Sequence, residues 1–195
     1  MIKYALFDCD LVIVFRSEYI GQLLEREFSL PYEKTKPFFE EVLPLCYVGK
    51  LDLKEELAKY IGIWRLSSTS SELLEKWLAV ENARIDERVL EVVDQFRDAG
   101  ISCYIASNQE KYRAADVWTK IGKHFDGHFF SYEVGAIKTE DAYWQRLKIP
   151  FTESVFFDDN KDNILEAEKF GLTGSLFTDF DEFKKQVDSL GLSRS

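Results

Sequence analysis

Ser154-Val155-Phe156-Phe157-Asp158-Asp159-Asn160-Lys161 passes from a β-branched and aromatic run to a string of polar side chains. The apolar part reads as a strand over 154–157, and the segment after it as a helix over 161–170 that stops at Gly171. The same alternation recurs along the chain. Strands are expected at 2–7, 101–106, 127–131 and 174–177, and the last three are followed by helical stretches at 109–121, 139–147 and 181–190. Strands that alternate with helices imply a parallel sheet with helices on both faces, an α/β Rossmann-like architecture.

The first interval breaks the rhythm. Asp8 and Ser107, each at the end of its strand, are 99 residues apart, whereas a βαβ unit takes about 30. Roughly 70 residues are therefore surplus to that unit. They carry helix signals at 17–28, at 34–43 with an early Pro37, at 52–61 with the capping-box spacing Asp52/Glu55, and at 71–80. An amphipathic helix over 86–99, closed by Gly100, returns the chain to the sheet. The expected layout is an α/β core of residues 1–14 and 85–195, with a helical module at 15–84. The run Ser67-Ser68-Thr69-Ser70-Ser71 is expected as a solvated loop between module helices.

An open parallel sheet binds its ligand beyond the carboxyl ends of its strands. The residues found there are Asp8 and Asp10, Ser107 and Asn108, Lys138, and Asp158 and Asp159. Taken singly each has an ordinary reading: Asn108 or Asp159 as a helix cap, Lys138 as a surface charge. Together they call for a cation, since two carboxylates 4 Å apart repel by about 4 kcal/mol at an effective dielectric near 20. An all-oxygen donor set with room for water suits Mg²⁺. A hydroxyl and a lysine facing the acids are what a phosphoryl group needs.

These residues carry a resemblance. Phe7-Asp8-Cys9-Asp10-Leu11-Val12, Ile105-Ala106-Ser107-Asn108, Lys138 in Gly135-Ala136-Ile137-Lys138-Thr139, and Val155-Phe156-Phe157-Asp158-Asp159-Asn160-Lys161-Asp162-Asn163-Ile164 resemble, in order, the four motifs of the haloacid dehalogenase (HAD) superfamily. The fourth is similar to that of bacterial sugar-phosphate phosphatases such as glucose-1-phosphate phosphatases. The resemblance implies a HAD-like core with an inserted helical cap. It further implies a Mg²⁺-dependent phosphatase that hydrolyses a small phosphomonoester, a sugar phosphate by preference, through an aspartyl-phosphate. Asp8 is then the nucleophile, and Asp10 protonates the leaving alcohol and activates water. Asp8, the backbone carbonyl of Asp10, and Asp158 hold Mg²⁺, with Asp159 close by. Ser107 and Lys138 bind the transferring oxygens, and Asn108 orients the substrate or caps its helix. The chain departs from the pattern at Leu11, where many members have Gly. Members that cleave carbon–halogen bonds generally lack the second aspartate, so Asp10 favours phosphate chemistry.

Composition narrows the alternatives. With 35 acidic against 25 basic side chains the net charge is −10, and no Lys/Arg cluster offsets it, so nucleic acid is not an expected partner. No apolar run nears the roughly 18 residues of a membrane span, and the acids at 8 and 10 interrupt any signal-peptide core. Cys9, Cys46 and Cys103 share no CxxC spacing, which favours a reduced, cytoplasmic setting. Between two carboxylates Cys9 is a poor nucleophile. His124 and His128 are separated by Gly127, and the strand-like Phe129-Phe130 follows, so the two are not expected to ligate a metal. Tyr47, Trp64 and Trp77 are expected as module core, while for Phe38-Phe39 periodicity does not choose between core and inner face. A phospho-acceptor signalling module would use a similar set of groups. Its order along the chain differs, with the acidic pair first, the phosphorylated Asp mid-chain and Lys last, and it lacks the insert. A haloacid dehalogenase, a phosphomutase and an inactive binding scaffold of the same fold are the remaining alternatives.

Overall fold

The computed structural model describes residues 1–191. The last four residues of the expected core segment, 192–195, lie outside them. The chain opens with β1 (Tyr4–Phe7) and a two-residue strand β2 (Val14–Phe15). Five helices follow: α1 (Ile20–Phe28), α2 (Tyr32–Pro37), α3 (Leu43–Tyr47), α4 (Leu53–Trp64) and α5 (Ser70–Glu81). After β3 (Arg84–Ile85) and α6 (Glu87–Asp98) come β4 (Ser102–Ser107), α7 (Lys111–Ile121), β5 (Gly127–Phe130), α8 (Ser131–Val134) and α9 (Asp141–Arg146). The chain ends in β6 (Ser154–Asp158), α10 (Lys161–Lys169), β7 (Thr173–Leu176) and α11 (Phe180–Ser189).

The main sheet is parallel throughout, in the order β5-β4-β1-β6-β7. Because strand side chains alternate, its residues divide between two apolar layers. Ala5, Phe7, Cys103, Ile105, Val155 and Phe157 pack against α6, α7 and α11. Leu6, Ala106 and Phe156 pack against α9 and α10 through Tyr143, Trp144, Ile164 and Ala167. Helices thus cover both faces, as the alternation implied. β1 lies in the middle, with its next strand β4 on one side, while β6 on the other side leads away to β7. Opposite turns at neighbouring strands open a crevice at their carboxyl ends, and Asp8 and Asp158 border it.

The insert joins the core through a ribbon that sequence reading missed. β2 and β3 pair antiparallel, Val14 opposite Ile85 and Phe15 opposite Arg84, so the chain leaves and re-enters the core at one place. Two residues per strand are too few to show a period. The insert has an apolar centre of its own in which Phe38 packs edge-on against Phe39, Tyr60, Trp64 and Trp77. The single helix expected at 34–43 is instead α2, a π-turn over Phe38–Val42, and α3. At that turn the Leu43 amide donates to the Phe38 carbonyl, five residues back, and Pro44, next in the chain, has no amide to continue an α-ladder. The solvated loop expected at 67–71 is shorter, since Thr69 and Glu72 form a capping box and α5 starts at Ser70. Ser131, expected to end a strand, opens α8.

Phe7 is fully buried among Phe96, Phe125, Phe157 and Phe183. Phe7→Ala is expected to lower the unfolding free energy by about 3–5 kcal/mol, measured by urea denaturation. A loss below about 1 kcal/mol would mean the ring is not part of a close-packed core.

Candidate active site

Four of the sequence-selected side chains meet at the crevice. Lys138, 1% exposed, places its ammonium 2.7 Å from Asp8 Oδ1 and 2.6 Å from Asp158 Oδ2. Asp8 Oδ1 also accepts from the Cys9 amide at 2.7 Å. Oxygens of Asp8, Asp158 and Asp159 come within 4.8 Å of one another. Burial pushes the Asp8 carboxyl up to about 7; Lys138 opposes that shift, while Asp158 and Asp10 add to it. Burial would lower the Lys138 ammonium, yet Asp8 and Asp158 outweigh it and hold its pKa above the usual lysine range. Asp159 is raised by burial and by Asp158.

The supports come from several elements. The Asn108 side chain accepts from the Lys138 amide at 2.9 Å, and Trp144 Nε1 donates to the Lys138 carbonyl at 2.8 Å. Lys138 sits on a loop before α9, so these two bonds position it. Asp158 accepts from the Asn160 amide at 2.7 Å and from Asn163 Nδ2 at 3.1 Å. Asn108 is not the cap of α7. Glu110 fills that place by accepting from the Tyr112 and Arg113 amides. Nor does Asp159 cap α10, because Asn160 does, and the Asp159 carboxylate points into the acidic group instead.

Asp10 stands apart from that group. Its carboxylate is forked by the Arg113 guanidinium, with Nη1 at 2.7 Å from Oδ2 and Nη2 on Oδ1, and Gln109 Nε2 donates to it at 3.1 Å. Gln109 also reaches the Ser107 hydroxyl at 3.4 Å. Arg113 donates further to the Asn82 side chain at 3.0 Å and to the Glu81 carbonyl at 3.2 Å, tying Asp10 to the end of the insert. Gln109, Arg113, Glu81, Asn82 and Asn163 were not foreseen. Asn163 lies inside the fourth motif, where its spacing from Asp158 was a signal. Arg113 and Glu81 had none, since their meeting depends on how α5 docks onto α7.

Leu11 adopts a φ of 58°, in the left-handed region where a side chain costs roughly 1–2 kcal/mol. That accounts for the glycine common at this place, and here an exposed Leu takes the strain. Cys9 is buried, and burial together with Asp10 pushes its thiol well above the ordinary range. His124 pairs with Asp94 and His128 with Glu133, so the two histidines share no ligand position. Trp64 belongs to the insert's apolar centre, whereas Tyr47, Trp77 and Phe39 also border a cavity over Asp10.

No family profile matches the chain. A curated relative, the drimenol cyclase of Aspergillus calidoustus, is 30% identical over 126 residues, 58% of this chain and 23% of that protein. The chain thus spans about a quarter of that relative's length. Among solved structures, a HAD-family enzyme of Bacteroides thetaiotaomicron, in complex with magnesium and inorganic phosphate, superposes with a TM-score of 0.80 at 17% identity over 91% of this chain and 95% of its own. A predicted HAD-like hydrolase of Porphyromonas gingivalis superposes with a TM-score of 0.77 at 15% identity over the whole of both chains. The chain therefore has the fold of the haloacid dehalogenase superfamily.

Two outcomes are expected here. Leu11→Gly should leave stability unchanged or raise it, while Leu11→Val should lower it by about 1 kcal/mol or more; urea midpoints for the two variants decide. The folded Asp8 carboxyl holds its proton up to about 7 against 3.8 for an ordinary one, so metal-free stability falls as pH rises through that window. In EDTA, Asp8→Asn should match the parent in Tm near pH 4 and exceed it at pH 8. Equal Tm values at pH 8 would count against the burial of an ionised Asp8.

Proposed function

We propose that the protein is a Mg²⁺-dependent HAD-type phosphoric monoester hydrolase that works through an aspartyl-phosphate on Asp8. One observation carries this reading: a lysine buried between two carboxylates at the carboxyl edge of a parallel sheet, with a third carboxylate beside them. Three carboxyl groups face one lysine, and a hard divalent cation with oxygen ligands answers that excess of acids. Asp8, Asp158 and Asp159, with the Asp10 carbonyl, are the residues proposed to hold it. When bound it would offset the repulsion between the phosphate and Asp8.

The chemistry then runs on the chain's own groups. Oδ1 of Asp8 is held by Lys138 and the Cys9 amide, so Oδ2 is the oxygen that attacks phosphorus. The bond to the ester oxygen breaks, its electron pair leaves with that oxygen, and Asp10 supplies the proton. Asp10, now a carboxylate, takes a proton from water, which attacks the aspartyl-phosphate and returns the Asp8 carboxylate. Ester and water become alcohol and inorganic phosphate. Lys138 and Ser107 bind the transferring oxygens, and Asn108 acts as a positioning residue by holding the Lys138 amide. Residues 15–84 serve as the cap, closing over the site to limit water. Arg113 and Gln109 hold the Asp10 carboxylate in place.

The test is phosphate release from a panel that holds an aryl phosphate, sugar phosphates and nucleotides. Turnover should require Mg²⁺ and stop with EDTA. Asp8→Asn should lower kcat by ~10³-fold or more, and Asp10→Asn by roughly 10²–10⁴-fold. Turnover that survives Asp8→Asn would sink the mechanism, and phosphate retained on Asp8 without release would identify a signalling module instead.

A further inference from the structure

Between the insert and the core lies a cavity of about 440 Å³ that ends on Asp10, a volume suited to a small ligand. If Asp10 protonates the leaving oxygen, the alcohol part of the ester occupies this cavity. One wall is formed by Ile20, Phe39, Leu43, Tyr47 and Trp77, of which Ile20, Leu43 and Trp77 are buried, and Tyr19, Gln22, Glu25 and Tyr32 bring polar groups to the rest of the lining.

At the inner end Arg113, Asp10 and Glu81 are engaged with one another, while Arg16 Nε is buried without a hydrogen-bond partner. Arg113 forks Asp10 and approaches the Glu81 carboxylate to 3.8 Å. Arg16 lies 3.6 Å from Glu81 and 4.0 Å from Asp10, and Glu81 accepts from the Ile20 amide at 3.3 Å. Along the Phe39–Trp77 wall a sugar would bring hydroxyls against rings and methyl groups, and each hydroxyl desolvated there without a partner weakens binding. A hydrocarbon meets no such cost and gains from every carbon withdrawn from water.

We infer that the substrate is the phosphate monoester of an apolar alcohol, its phosphate at Asp8 and its hydrocarbon chain along the Phe39–Trp77 wall. This rests on the phosphatase reading above, and it turns the choice among phosphate esters from sugars toward alkyl or prenyl chains. Gly21 is the position at which to block the cavity. A Cβ there would lie 3.9 Å from the Phe39 ring, an ordinary contact, and leucine favours a helix more than glycine does. Gly21→Leu should therefore fold and shorten the cavity.

The experiment measures kcat/KM, with Mg²⁺, for n-alkyl phosphates from propyl to octyl beside glucose 1-phosphate and glucose 6-phosphate. In parallel, calorimetry follows binding of the matching alkylphosphonates, which cannot be hydrolysed. Both quantities should rise with chain length, by up to about fourfold for each methylene that is fully buried. Octyl phosphate should surpass both sugars, and Gly21→Leu should reduce the octyl-to-propyl ratio. Turnover with a flat length profile, or with sugars preferred, overturns the apolar assignment and leaves the phosphatase standing. If no ester turns over, the phosphatase reading fails, and the phosphonate series still decides the cavity: length-dependent binding lost in Gly21→Leu supports an apolar ligand, and length-independent binding or none overturns it.

Discussion

Asp8 and Asp158, at the carboxyl edge of this sheet, are held around one ammonium group. Lys138 is buried between Asp8 and Asp158, which come from neighbouring strands and would otherwise repel each other across the crevice. An uncompensated buried charge is strongly destabilising, so the lysine cannot be a loose surface group. It lies on a loop rather than in a strand. Its main chain is therefore fixed at both polar atoms, the amide by Asn108 and the carbonyl by Trp144. Two hydrogen bonds that look incidental thus hold the charge balance of the site in place.

The helical insert is bound to the same site through Asp10. The β2–β3 ribbon brings both ends of the insert to one point beside β1. From there Arg113 reaches across from the core to Asp10, Asn82 and Glu81. Other bonds brace the contact: Tyr112 donates to Asp52 at 2.8 Å and Ser131 to the Tyr47 carbonyl at 2.6 Å. Gly49 allows the close approach, since it has a φ of 69° and a Cβ there would come within 2.3 Å of the Tyr132 carbonyl oxygen. Any displacement of the insert that opens the cavity is thereby coupled to the partners of Asp10.

The core was legible because its signals are local. Strand runs such as Val155-Phe156-Phe157 and helix starts such as Lys161 need only near neighbours to be recognised, and strands ending in Asp8, Ser107 and Asp158 point to a common edge once the sheet is parallel. Capping was legible in kind but not in detail: Glu110 and Asn160, not Asn108 and Asp159, close their helices. The difference frees Asn108 to hold Lys138 and turns Asp159 toward the acids. Phe38 and Phe39, adjacent in sequence, part company, one in the insert's centre and the other on the cavity wall. The π-turn that carries them is what periodicity could not resolve.

By itself the sequence determined the sheet and the carboxylates and hydroxyl at its strand ends, because each follows from short-range patterning and from the rule that parallel strands share a carboxyl edge. Only the tertiary structure decided which of those groups touch, that Arg113 links Asp10 to Glu81 of the insert, and that a cavity with an aromatic wall faces it. Those contacts join residues as distant in the chain as Asp8 and Lys138 or Asp10 and Arg113, and the packing of the sheet, its helices and the insert, not any local preference, sets their distances.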